Sequence, residues 1–240
     1  MSGPVAILGA TGGIGGALAR RLATRGVPLF LIGRDAGRLS GLAEELHAPS
    51  APCDVTDPAA LKAAIAAAGA PLAGLAFCIG SIVMKPLARA TADDFAATFA
   101  LNATAAALAV QAAAPALAVG QGSVVLFSSV AARAGFLGHA VIGAAKAAVE
   151  GLSLALAAEL APSVRVNCIA PSLTRTGIAT PMTKNPQMAE AIAKLHPIPR
   201  LGEAEDAAAL ADFLLSDASG WITGQVIGVD GGRSSLRGRG

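Results

Sequence analysis

Three glycines near the start of the chain, Gly9, Gly13 and Gly15, are spaced to do chemistry without a reactive side chain. They follow the apolar run Val5–Leu8, which reads as a buried parallel strand, and they open an amphipathic segment with Ile14, Leu18 and Leu22 on one face and Arg20 opposite. Strand, glycine-rich turn and helix N-terminus together leave backbone N–H groups and the positive end of a helix dipole aimed at one place, which is an anion site. Without Cβ atoms, the glycines let a pyrophosphate approach the backbone. The spacing is G-x-x-x-G-x-G rather than the general G-x-G-x-x-G, and a glycine-rich turn with no ligand is the alternative reading. Gly33, Arg34 and Asp35 end the next apolar run. An arginine there can grip a phosphate by paired, charge-assisted bonds. Asp35 lies at about the distance from the turn where a ribose-binding acid is expected. His139, an imidazole with a reference pKa of about 6.5, is a chemically sensible proton donor. Cys53, Cys78 and Cys168 are odd in number and widely spaced, which fits neither a disulfide framework nor a metal set; they read as small core residues in a reducing cytosol.

Alternating strands and helices must hold these groups. Strand-like runs are Val5–Leu8, Pro28–Ile32, Ala73–Phe77, Ser123–Phe127, Val164–Cys168 and Gln225–Val229, with a short one ending at Cys53. Helical patterns cover Ile14–Arg25, Ala36–Leu46, Pro58–Ala68, Asp93–Leu117, His139–Leu160, Gln187–Leu195 and Glu203–Leu215. The alternation predicts an α/β fold: a Rossmann-like, doubly wound parallel sheet of about seven strands with helices on both faces and ligands at the strands' carboxyl ends. A chain of 240 residues fits one domain, expected over 1–232, with the segment 233–240, RSSLRGRG, expected to be a flexible, solvated tail.

Hydrophobic residues make up 54% of the chain and charged ones 14%, so a membrane span has to be weighed. The uncharged stretch between Asp94 and Arg133 is interrupted by Asn102, Gln111, Pro115, Gly120 and Gln121. It therefore reads as a helix followed by a buried strand, both covered by protein. No charged N-terminal region precedes a long apolar run and a cleavage site, so a cytoplasmic location is expected. The net charge of +2 leaves no nucleic-acid footprint. The expected partner is a small molecule, with neither nucleic acid nor membrane.

Seven pieces, in this order and spacing, resemble the short-chain dehydrogenase/reductase family over nearly the whole chain. They are ILGATGGIGGALA near the start, Cys53-Asp54-Val55 after the third strand, Leu101-Asn102 in the fourth helix, GSVVLFSSV at 122–130, AAKAAVEGL at 144–152, RVNCIAPS at 165–172 and ITGQVIGVDGG at 222–232. The resemblance implies an NAD(H) or NADP(H) cofactor and hydride transfer to or from a carbonyl or alcohol. It places the cofactor on Gly9, Thr11, Gly13, Ile14 and Gly15, its adenine between Asp54 and Val55, and its nicotinamide end near Gly80, Lys146 and Pro171. NAD-preferring relatives carry an acid at the position of Gly33. With glycine there and Arg34 next, NADP is expected rather than NAD.

The family's active site uses Asn, Ser, Tyr and Lys, which puts Asn102, Ser129 and Lys146 in the first, second and fourth roles. Asn102 is then expected to bond backbone inside a kinked helix and order water. Ser129 is expected to bond the substrate carbonyl, and Lys146 the nicotinamide ribose. A purely structural asparagine and a serine capping a strand end are the alternative readings. The family's tyrosine stands four residues before the lysine; here that place is Ile142, and the chain contains no tyrosine at all. A phenol of pKa about 10, lowered by the lysine and the oxidised nicotinamide, serves the family as acid and base. An isoleucine can do neither. His139, three residues earlier on the same side of a helix start, is the candidate substitute donor. Phe77-Cys78-Ile79-Gly80 replaces the family's Asn-Asn-Ala-Gly, Leu8 its threonine, and Pro171-Ser172 its Pro-Gly.

Residues Ser172–Arg200 match the family's variable substrate loop, whose Met182 and Met188 suit an adaptable apolar pocket or a surface flap. Relatives assemble through the fourth and fifth helices, so a homodimer or homotetramer is expected. Two functions follow. One is an NADP-dependent oxidoreductase working without the tyrosine, its proton coming from His139 or from a water held by Lys146 and Asn102. The other is a redox-silent NADP(H)-binding sensor, regulator or ligand binder, with non-redox chemistry in the altered pocket as a lesser third.

Overall fold

The computed structural model describes residues 2–236. Its strands are β1 (Val5–Leu8), β2 (Leu29–Gly33), β3 (Ser50–Pro52), β4 (Gly74–Phe77), β5 (Ser123–Phe127), β6 (Arg165–Pro171), β7 (Thr174–Arg175), β8 (Gly202–Glu203) and β9 (Val226–Val229). Its helices are α1 (Gly13–Thr24), α2 (Ala36–Leu46), α3 (Pro58–Ala67), α4 (Ala92–Phe99), α5 (Ala105–Gly120), α6 (Ala140–Leu160), α7 (Thr180–Thr183), α8 (Pro186–Ala193) and α9 (Ala204–Leu215). Seven strands form one parallel sheet in the order β3-β2-β1-β4-β5-β6-β9. The order reverses between β1 and β4, the switch point where such sheets open a crevice for ligands.

Side chains alternate across each strand, so each face of the sheet has its own core. Leu8, Ile32, Phe77, Val124 and Leu126 pack with α3, α5 and α6, while Ile7, Leu31, Val125, Phe127 and Ile169 pack with α1, α2 and α9. Asp212 on α9, almost fully buried, takes ion pairs from Arg21 and Arg25 and so clamps α9 to α1. Several helix starts are written locally. Asp57 caps α3 with Pro58 in its first turn, Asp35 caps α2, and Thr91 with Asp94 makes a capping box on α4. α1 lacks such a cap. Its N-cap is Gly12, with no side-chain cap and no acid in the first turn, so its leading N–H groups stay open.

The helix expected over Asp93–Leu117 is interrupted by a π-turn, Ala100–Thr104, between α4 and α5. β6 runs to Pro171, beyond the expected end at Cys168, because β5 pairs with it on one side and β9 on the other. The short pair β7–β8 and the four-residue α7 were outside the sequence reading, being too brief to show periodicity. The first residues of the expected tail are fixed: Arg233 N donates to Asp230 O at 3.1 Å and Ser234 N to Asp230 Oδ2 at 2.9 Å. Residues 237–240 lie outside the described residues. The continuous helix Ala92–Gly120 and α6 are both long and apolar enough to cross a membrane. Each nevertheless buries one side in the protein, α6 through Val141, Ile142, Ala145, Val149 and Ala157, and leaves apolar residues such as Val119 and Leu154 exposed.

Candidate active site

The glycine turn is built for close approach. Gly9 has a φ of +78°, and a Cβ there would meet the Ile79 side chain at 2.8 Å. A Cβ on Gly15 would lie 2.3 Å from the Gly9 carbonyl oxygen, and one on Gly13 would lie 2.6 Å from the Thr176 methyl. Thr11 bridges to the next strand: Arg38 Nη2 donates to its carbonyl at 2.6 Å, and its hydroxyl faces Gly33. Arg38, in the first turn of α2, was not singled out from sequence. Asp35 has a different task from ribose binding, since its carboxylate accepts Arg38 N at 3.0 Å and caps α2. Arg34 is exposed beside it. Asp54 accepts from the Thr56 hydroxyl at 2.7 Å and from Thr56 N at 2.9 Å, bonds that hold its carboxyl below the usual range, and the neighbouring Val55 is buried. Open donors on α1, glycines that admit no Cβ and arginines at the end of β2 fit a phosphate-bearing dinucleotide.

Beyond the turn lies a cleft of about 350 Å³, within the range of small-molecule sites, roughly 300–1,000 Å³. Ile14, Gly80, Ser129, His139, Ile142, Lys146 and Pro171 all line it. The sheet and α6 therefore gather residues far apart in sequence, while Arg34, Asp54 and Val55 stand apart from this cleft at the ends of β2 and β3.

Lys146, on α6, is 6% exposed and its Nζ donates to the Phe127 carbonyl at 2.9 Å. Among the described residues no carboxylate pairs with it, and burial lowers its pKa to about 8. Asn102, in the π-turn, is 1% exposed; its Nδ2 donates to Thr98 O at 2.9 Å and to Ser81 Oγ at 3.1 Å. Its Oδ1 accepts only the long 3.4 Å bond from Ser81 N, which leaves acceptor capacity free. A Cβ on Gly80 would sit 2.8 Å from Lys146 Nζ and 3.1 Å from Asn102 Oδ1, so the two polar groups converge on one face of this glycine.

Ser129 follows β5 in extended backbone, and its Oγ accepts Ala131 N at 3.2 Å. The N–H occupies a lone pair and leaves the hydroxyl proton to donate into the cleft. Ile142 is 4% exposed and packs into the wall one turn before Lys146. His139 precedes α6; its Nδ1 faces the Leu137 carbonyl at 2.9 Å and must carry the proton of a neutral ring, leaving Nε2 as the acceptor. Its ring meets that of Phe136 at 5.4 Å.

The segment Ser172–Arg200 covers the cleft with Ile178, Met182 and Met188. His196 pins it: buried, with Nδ1 at 2.9 Å from Ile192 O and Nε2 accepting Ser172 Oγ at 2.8 Å, it ties α8 to the end of β6. Arg233, placed in the tail by the sequence reading, also lines the cleft, its guanidinium 4.9 Å from the Phe136 ring centroid. Among the described residues no group of three or more His, Cys, Asp or Glu side chains is arranged to hold a metal.

Comparison with known proteins accounts for this arrangement. Residues 9–234 match the family model described as enoyl-(acyl carrier protein) reductase. The chain belongs to the short-chain dehydrogenase/reductase family. A member from Cereibacter sphaeroides, galactitol 2-dehydrogenase (L-tagatose-forming), is 36% identical over 243 residues, covering 95% of this chain and 93% of its own. Among solved short-chain dehydrogenase/reductase structures, gluconate 5-dehydrogenase from Burkholderia cenocepacia, in complex with NADP and tartrate, superposes with a TM-score of 0.92 at 27% identity, covering 98% of this chain and 96% of that one. A 3-oxoacyl-[acyl-carrier protein] reductase from Brucella melitensis with bound NAD superposes with a TM-score of 0.88 at 29% identity, covering 98% and 92%. A nucleotide cofactor thus belongs to the family's members in this fold.

Proposed function

We propose that this chain is an NADP-dependent oxidoreductase that interconverts a carbonyl and an alcohol without a tyrosine. The observation that carries the reading is the convergence of Lys146 Nζ and Asn102 Oδ1 on Gly80, a glycine that lines the same cleft as Lys146 and Ser129, Asn102 itself being outside the lining. NADPH, when bound, supplies the hydride. Open α1 N–H groups cradle its pyrophosphate, Arg34 and Arg38 hold the ribose phosphate, and Lys146 holds the nicotinamide ribose. Ser129, its lone pair engaged by Ala131 N, would hydrogen-bond through its O–H to the substrate oxygen and polarise the carbonyl while keeping its own proton.

The proton reaches that oxygen through a water between Lys146 and Asn102 Oδ1, whose spare acceptor capacity supports this placement better than His139, where Nδ1–H points to the Leu137 carbonyl. Loss of one positioned acid costs about 10²–10⁴ in rate, so slow turnover is the expectation. The redox-silent reading rests on one observation, the buried Ile142 side chain in the cleft wall. The test is NADPH consumption against aldehydes, ketones and quinones with wild type and His139→Ala. Turnover that survives His139→Ala supports the water route. NADPH binding with no turnover on any substrate favours the silent reading.

The outward faces of α5 and α6 are apolar along much of their length, and we propose that they are covered in a homodimer or homotetramer.

A further inference from the structure

The cleft has a charge pattern that the redox chemistry leaves unexplained. Its lining is mostly aliphatic, and the charged side chains among the described lining residues are two cations, Lys146 and Arg233, with no carboxylate. Lys146 lies deep, beside Gly80 at the cofactor end. Arg233 lines the same cleft from the turn after β9. That turn is stiff: Asp230 accepts Gly232 N at 2.8 Å and Ser234 N at 2.9 Å, and also takes the Ser234 hydroxyl. Its carboxylate is thereby spent on the turn, and among the described residues Arg233 has no ion-pair partner. The guanidinium carbon lies over the Phe136 ring, 4.9 Å from its centroid, and among the described residues no hydrogen bond engages its N–H fork. Partial burial works against its charge, which the nearby Asp230 carboxylate offsets only in part. A cation partly buried in this mostly apolar cleft, with no carboxylate within ion-pair distance among the described residues, is costly unless an anion completes it.

We infer that Arg233 is the anion anchor of the substrate site, and that the substrate is an aliphatic oxo- or hydroxy-carboxylate whose carboxylate pairs with Arg233 and whose apolar body fills the cleft. This rests on the oxidoreductase reading for the reacting carbonyl, but not for the binding. The test therefore uses unreactive probes, octanoate and methyl octanoate, titrated by calorimetry into NADP-saturated protein so that Lys146 is occupied by the cofactor. Wild type should prefer the acid over the ester by about ten- to hundred-fold, as for bonds to a charged group. Arg233→Gln should erase that preference and Arg233→Lys should keep part of it, with NADPH affinity unchanged in both as the check on folding. Equal affinity for acid and ester in wild type, binding of neither, or a preference that survives Arg233→Gln would overturn the assignment. Acid-selective binding in a protein with no carbonyl reduction would uphold the anchor while removing the redox reading.

Discussion

Lys146 and Gly80 occupy adjoining space: the ammonium nitrogen stands 2.8 Å from where a Cβ on Gly80 would be. The glycine is required by the lysine as much as by the backbone, and Asn102 Oδ1 closes the same space at 3.1 Å. Gly80→Ala should push Lys146 off its position beside the Phe127 carbonyl and weaken NADPH by about 1.5–3 kcal/mol, the range for hydrogen bonds to a charged group. Titration of NADPH fluorescence checks this, and an unchanged dissociation constant would show that Lys146 does not hold the cofactor.

How much of this site could be read from sequence differs by residue. The doubly wound parallel sheet and the placement of Ser129, Ile142 and Lys146 in one cleft follow from motifs that sit at strand ends, where such a sheet opens; the strand order itself had no expectation in the sequence. Asn102 followed from the same spacing, although the π-turn that holds it has no periodic signature. Asp35 was ambiguous because a carboxylate after a strand can cap a helix or hold a ribose; only the position of Arg38 N decides for the cap. Arg233 was misplaced because a short run of arginines and serines at a chain end reads as solvated, and nothing local reveals that Asp230 and Phe136 turn it inward.

Cofactor choice tests the end of β2. Arg38 is already fixed against the Thr11 carbonyl at 2.6 Å, so Arg34 is the more adaptable member of the pair. Arg34→Ala should weaken NADPH by about 1.5–3 kcal/mol and leave NADH nearly untouched. Calorimetric curves that coincide for the two cofactors in wild type would sink the NADP preference.

Assembly is read by light scattering. With apolar faces on Ala92–Gly120 and α6, a mass at micromolar concentration of two or four times 23.5 kDa is expected. A single-chain mass would mean that these faces are not covered by copies of the chain.

Stability should carry the mark of Lys146. Its pKa falls from 10.5 to about 8 on burial, so below pH 8 both folded and unfolded chains hold the proton and the cost is constant. Above 8 the folded chain has released a proton that the unfolded chain keeps, and stability rises with pH. Cys78 and Cys168, both pushed up from 9.0 to about 12, act in the opposite sense, because their unfolded thiols ionise first and stability falls above 9. Between pH 8 and 9 the lysine alone adds about 1 kcal/mol and the two thiols take back roughly 0.4 kcal/mol each, so the net rise is only a fraction of a kcal/mol. Urea denaturation of the cofactor-free protein at these two pH values checks it, and Lys146→Met should remove the rise. A rise of the same size in that variant would place its origin elsewhere.

Ile142 provides the most direct trial of catalysis. Its side chain is 4% exposed, faces the cleft one turn before Lys146, and shares that cleft with the Ser129 hydroxyl. A tyrosine there has a larger, polar side chain, and its phenol would extend toward the cleft that Lys146 and Gly80 line. The lysine's charge lowers a phenol's pKa from about 10 toward the working pH, where proton transfer is most efficient. Ile142→Tyr should therefore create or raise NADPH-dependent carbonyl reduction by about two to four powers of ten, the contribution of one positioned acid. Adding Lys146→Ala should abolish the gain, because the phenol then keeps its proton and the ribose loses its holder. Absorbance loss of NADPH with wild type, single and double variants reads all three. If Ile142→Tyr binds NADPH and still reduces nothing, the wall built by Phe127, Cys78 and Ile79 no longer admits a substrate in hydride-transfer geometry, and the chain is a binder of the cofactor rather than its user.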